Sequence, residues 1–235
     1  MAFAEPCPPI TDARPGASRD GSRARLYEVA GLTKPVVLAG ERRLMVPGPL
    51  GALLPGGGLQ RGSVVAVGGA VGAGASSLVL QLLAAATAAG EWAAAVDLDG
   101  TFGALAAAEA GVALERLAVV RGVAPGRWGR VVATLLEGVS LVAAVVPASL
   151  RPADTRRLAA RARERAAVLV TAGPWPGEAA LRLRAESSSW GGIDGGEGFL
   201  RERVVQVGIS GRGAAGRGRV AELAASWPVA ASSPG

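Results

Sequence analysis

The sequence predicts an α/β fold: a mostly parallel sheet flanked by helices, with an antiparallel C-terminal extension. Three observations carry that expectation. Between residues 63 and 173, short apolar runs rich in Val and Ala alternate with segments of helical length. After Pro176 the pattern changes to polar–apolar alternation around Gly-rich turns. Gly is frequent, at 35 residues, and aromatics make up only 4%, which favours close, small-residue contacts between helices and sheet.

In chain order, residues 1–24 (rich in Pro, Ser, Arg and Asp) read as a flexible tail, 24–32 as a short helix and 35–39 as a short strand. Residues 47–62, PGPLGALLPGGGLQRG, read as loop chemistry around a small apolar patch. The core then runs strand 63–69, helix 75–90, strand 91–99, helix 101–111, strand 116–122, helix 125–138, strand 140–147, helix 151–166 and strand 166–173. Gly90, Gly111 and Gly138 supply helix stops, and Pro125 opens its helix at the first turn, where a missing N–H costs nothing. Strands that are apolar throughout are buried on both faces, and right-handed crossovers then leave a parallel sheet as the consistent topology. Segments 180–190, 199–210 and 218–224 form the antiparallel extension, and the last residues, 226–235, read as a second tail. The domain boundary is placed at 25–225, with its core at 63–173 and its extension at 180–224.

Composition removes whole classes of chemistry. The 235 residues include no His and a single Cys, Cys7, so Ser-His-Asp and Cys-His catalysis, His-ligated zinc and an intrachain disulfide are excluded. The net charge is +6, and all but one of the 25 basic residues are Arg, the exception being Lys34. That balance suits nucleic acid or an acidic partner. The N-terminus lacks a basic-then-apolar leader, and the apolar stretch near 76–90 reads as a core helix, so a cytoplasmic location without membrane attachment is expected.

GAVGAGAS, Gly69 to Ser76, has the spacing of a phosphate-binding loop, G-x-x-x-x-G-K-[ST], with Ala75 in place of the lysine. Gly69, Gly72 and Gly74 would let backbone N–H groups turn inward, and Ala75, Ser76 and Ser77 begin a helix whose dipole favours an anion. The alternative reading is a plain Gly-rich strand-to-helix turn. Both stay open on the loop alone.

The approach to this loop, LLPGGGLQRGSVVAVGG, resembles that of the RecA recombinase family, and more closely that of the RecA-related mutagenesis accessory proteins of the ImuA group (ImuA′ in actinobacteria). The likeness continues in order through VDLDGT (96–101), LVAAVVPAS (141–149) and the C-terminal strands, covering roughly residues 45–225. It implies a RecA-like, P-loop-type core. It also exposes departures. The Walker A lysine position is Ala75; the Walker B aspartate position is Pro147, with no carboxylate between Glu137 and Asp154; the sensor falls near Thr171–Ala172–Gly173. Asp99 alone remains, where the family has a water-activating glutamate, and the other reading of Asp97 and Asp99 is a solvated pair at the sheet rim.

The resemblance therefore implies a non-catalytic accessory protein in the SOS response and translesion synthesis, with no cofactor and no metal. Its implied partners are an ImuB-like Y-family polymerase homologue and an error-prone polymerase. Three rivals remain. One is a RecA/KaiC-like ATPase using ATP and Mg²⁺ at a divergent site; the others are a DNA-binding module and a cell-division inhibitor of the SulA type. The two joints that would carry recombinase DNA loops, PASLRPAD and AGPWPGEA, are short, so strand exchange is not expected. On the fourth core helix Leu158, Ala159, Ala162 and Ala166 form the core stripe, while Arg156, Arg157, Arg161, Arg163 and Arg165 cover the rest as a solvated face or as a docking surface for DNA or an acidic partner. Arg201, Arg203, Arg212, Arg217 and Arg219 form a second candidate patch. Trp175 either stacks on a base or packs its own loop, and Trp227 with Pro228 either anchors a partner or caps the surface.

Overall fold

A computed structural model describes residues 42–194, 197–212 and 218–226. The expected tails, the 24–32 helix, the 35–39 strand, Cys7, Lys34, Arg217, Trp227 and Pro228 lie outside the described residues, as does the side chain of Arg201. The chain divides into a unit Met1–Leu38 and a unit Ala39–Gly235, and everything below concerns the second.

The segment read as loop is ordered. Strand β1 (Arg43–Met45) pairs antiparallel with β2 (Gly58–Gln60), and helix α1 (Gly48–Leu53) fills the connection. Leu44, Leu50, Leu54 and Leu59 are buried, so the small apolar patch of residues 47–62 belongs to the main core. Gly58 is required by close approach, since a Cβ there would stand 2.3 Å from the Leu44 carbonyl oxygen.

The core follows the expected order: β3 (Val64–Gly69), α2 (Ala75–Ala88), β4 (Ala93–Asp97), α3 (Ala104–Glu109), β5 (Leu117–Arg121), α4 (Pro125–Gly138), β6 (Leu141–Val145), α5 (Pro152–Arg165) and β7 (Val168–Ala172). The strands are shorter than their apolar runs because the end residues leave the ladder to enter turns. β8 (Leu181–Asp194), β9 (Glu197–Gly211) and β10 (Arg219–Ser226) complete an eight-stranded sheet ordered β10-β9-β8-β3-β7-β6-β4-β5. β8, β3, β7, β6, β4 and β5 pair in parallel, while β9 and β10 run antiparallel. The fold is therefore a mostly parallel α/β sheet flanked by helices, with antiparallel C-terminal strands.

Alternation within β3 feeds two cores. Val65 and Val67 face α2, meeting Leu78, Leu82, Leu83 and Ala86; Val64 and Ala66 face α4 and α5, meeting Trp128, Val132, Leu136, Leu158 and Ala162. On α4, Trp128, Val132 and Leu136 recur every four residues and present one buried stripe. On α5 the stripe is Thr155, Leu158 and Ala162. Ala166 is not part of it: the helix ends there in a left-handed turn with φ 53°, which carries its side chain out to solvent. Among the described residues, no helix is long and apolar enough to cross a membrane.

Candidate functional site

β3 delivers the chain into the glycine loop, and α2 receives it. Gly74 is the N-cap of α2, and no side chain caps that end. Gly72 and Gly74 have φ of 79° and 113°, which L side chains adopt only with strain. Their surroundings differ. A Cβ on Gly69 would lie 2.3 Å from the backbone oxygen of Ala185, and one on Gly74 would meet Arg203 at 3.1 Å and Val205 at 3.2 Å. At Gly72 there is nothing within 4 Å. Packing on the loop thus demands glycine at position 69, while at Gly74 the Arg203 and Val205 side chains would have to give by a few tenths of an ångström.

What packs there is an arm. Only Leu181–Ala185 of β8 pair with β3; beyond the irregularity at Ala185/Ser187, the strand continues with β9 and passes over the glycine loop. Arg203 of β9 donates to the Ser77 hydroxyl at 2.9 Å and to the Gly72 carbonyl at 3.2 Å, and its guanidinium lies 5.1 Å from the Trp190 ring centroid. The Ser188 hydroxyl donates to the same Gly72 carbonyl at 3.2 Å. The arginine that reaches the loop therefore binds its carbonyl oxygen and braces it. Its Nε is buried without a partner.

The ends of β3, β6 and β7 surround a cavity of about 810 Å³. Its wall includes Gly69, Ala75, Pro147, Gly173, Trp175 and Arg184. Ala75, Pro147 and Gly173, which lie far apart in sequence, are thus brought to one wall. The lining holds no Lys, Asp or Glu. Thr171, the polar residue of the Thr171–Gly173 span, is fully buried with an unpartnered hydroxyl and does not line the cavity. Ser76 borders a different, smaller hollow of about 240 Å³ and Asp99 is exposed outside both. The cavity wall offers two guanidinium groups, Arg182 and Arg184, and no carboxylate for a divalent cation. Among the described residues, no group of three or more His, Cys, Asp and Glu is placed to hold a metal.

The alternative reading of Asp97 and Asp99 as a solvated rim pair fails for Asp97. It is 3% exposed, accepts the N–H of Thr101 at 3.1 Å and of Phe102 at 3.2 Å, and pairs with Arg121 Nε at 2.9 Å. Burial pushes its carboxyl up, but the Phe102 N–H, Arg121 and the Thr101 N–H together outweigh burial, and the group sits below the usual aspartate range. The Asp97 carboxylate thus fastens the 98–103 turn.

Trp175 is 6% exposed and its indole N–H donates to the Glu178 carbonyl at 3.2 Å, so it packs its own loop and forms part of the cavity wall. Arg156, Arg157, Arg163 and Arg165 are exposed along α5, whereas Arg161 is half-buried between Glu137 at 3.5 Å and Glu164 at 2.9 Å. Sequence reading missed the role of Arg203 and also missed Arg130 of α4 and Arg151 at the start of α5, which line one cleft with Arg157 and Arg161. The Gly-rich spacing of α4 was the available signal for that cleft.

Residues 52–177, more than half of the chain, match a family model described as the MT3502 N-terminal domain. No curated protein matches the chain.

Proposed function

The chain belongs to the MT3502 N-terminal domain family, and from that premise we propose a non-catalytic RecA-like scaffold, an accessory factor of the ImuA type in damage-induced mutagenesis and translesion synthesis. It acts by docking proteins, with an ImuB-like polymerase homologue and an error-prone polymerase as the expected partners. One observation carries this reading. The strand order collects the ends of β3, β6 and β7, where the resemblance puts loop, Walker B and sensor, and the cavity they enclose presents Ala75, Pro147 and Gly173. The Arg203 brace adds support, since it gives the loop glycines a packing purpose independent of phosphate.

Titration of the full chain with ATP and Mg²⁺ tests the non-enzymatic half of the proposal. The expected result is no micromolar affinity and no turnover; micromolar binding with turnover abolished by Asp99→Asn would overturn it. A pull-down from DNA-damaged cells tests the other half. Recovery of a Y-family polymerase homologue is expected, and deletion should reduce damage-induced mutagenesis without a division phenotype. A division phenotype in its place would favour the SulA-type reading.

A further inference from the structure

Helices α4 and α5 pack side by side but leave between them a cleft of about 590 Å³, within the range of small-ligand sites. The room comes from α4, where Gly126 and Gly129 line the cleft and a Cβ on either would meet nothing within 4 Å. The charges come from both sides. Arg130, Arg151, Arg157 and Arg161 line it against Glu137 and Asp154, so guanidinium groups outnumber carboxylates by two.

The pairing within that set is uneven. Arg151 holds Asp154 at 3.0 Å, and Arg161 is shared between Glu137 and Glu164. Arg130 makes no ion pair or hydrogen bond among the described residues, and Arg157 influences Asp154 only through space. Two guanidinium forks are therefore left for a ligand. Pro125 and Gly126 begin α4, and Arg151 precedes α5, so two helix N-termini without side-chain caps add positive ends to the same cleft. Trp128 also borders the cleft, and its indole N–H is buried in the core behind that wall without a partner, close enough to report on what the cleft holds.

We propose that this cleft binds a doubly charged phosphate group, a phosphomonoester or diphosphate end, gripped by Arg130 and Arg157. The two guanidinium groups without an ion-pair partner, Arg130 and Arg157, match a dianion in charge, and planar forks suit phosphate oxygens bidentately. The group can come from a free nucleotide-like diphosphate or from the 5′ end of a nucleic-acid strand. The site lies on the opposite helix layer from the Arg203 brace and does not depend on the scaffold reading.

The test titrates the full chain with pyrophosphate and follows its amide and indole resonances. The Trp128 indole N–H is expected to move, and Arg130→Ala and Arg157→Ala each to weaken binding about tenfold or more, with spectra otherwise those of the folded chain. Arg130→Lys should restore part of the affinity. Arg184→Ala, in the other cavity, should change nothing. Binding that survives both alanine variants, or that disappears with Arg184→Ala, overturns the inference, as does an absence of binding. Single-stranded oligonucleotides with and without a 5′-phosphate then identify the source. A preference for the phosphorylated strand points to a nucleic-acid end, and equal affinity of the two points to a free diphosphate.

Discussion

At the end of β4 two carboxylates stand two residues apart in sequence and behave differently. Asp97 turns into the protein and accepts three hydrogen bonds, whereas Asp99 remains in solvent. A carboxylate that holds two backbone N–H groups and a guanidinium fixes the turn that leads into α3. Replacing it by Asn removes the charge from all three, and Asp97→Asn is expected to cost about 2 kcal/mol at pH 7. The pH dependence has a definite sign. Because the folded carboxyl lies below its ordinary value, its contribution is complete above the unfolded aspartate value, about 3.9, and is lost as pH falls through the lower folded one. Glu91 acts in the same direction, lowered first by its hydrogen bond from Arg61, which holds it bidentately. Urea unfolding of wild type and Asp97→Asn should therefore show a gap near neutrality that narrows below pH 4. Equal stability at pH 7 would mean that the turn holds without the carboxylate.

The glycine loop and the arm over it form the element where fold and function readings compete, and graded substitutions separate them. Gly69→Ala drives a Cβ into a backbone oxygen, which cannot rotate away, and should cost about 3 kcal/mol. Gly74→Ala combines a strained φ with contacts to a movable Arg203 and to Val205, and about 2 kcal/mol is expected. Gly72→Ala meets only its φ, at about 1 kcal/mol. Thermal unfolding without any nucleotide checks the order; three equal, small losses would show that the arm does not press on the loop. The loop itself was legible in the sequence, as were the parallel strands, because continuous apolar runs ending in glycine leave little choice, and α4 begins and ends where Pro125 and Gly138 predict. The arm was only half legible. Its bond from Arg203 to Gly72 joins residues 131 apart, and its strand runs through Ser187–Ser189 and Gly191, which carry little strand signal of their own. Residues 48–60 failed for the opposite reason: turn chemistry is real there, but burial of Leu50, Leu54 and Leu59 orders it, and burial is a property of the whole core. The inward turn of Asp97 lay beyond reach because alternation stops being informative at a strand's last residue.

On the scale of the molecule, the family match ends at residue 177, while the sheet does not. β8 takes the edge of β3 that β7 leaves free, pairing with Val65–Gly69. The strands beyond the match also contribute buried side chains to the α2 face: Leu181, Leu183, Val205, Val207, Ile209 and Leu223. Burying each such side chain is worth about 1.5–3 kcal/mol, so together they contribute on the order of 10 kcal/mol, as much as the whole net stability of a typical domain. A chain cut after Gly177 would expose the matching faces of α2 and α1 along with an unpaired β3 edge, a template for intermolecular pairing. It is expected to lose cooperative unfolding and to elute as aggregates, whereas the full chain unfolds in one transition. Circular dichroism and size-exclusion chromatography of the two chains decide the matter. A monomeric, cooperatively melting 1–177 chain would make the C-terminal strands an appendage, and the Arg203 brace would then be dispensable to the fold.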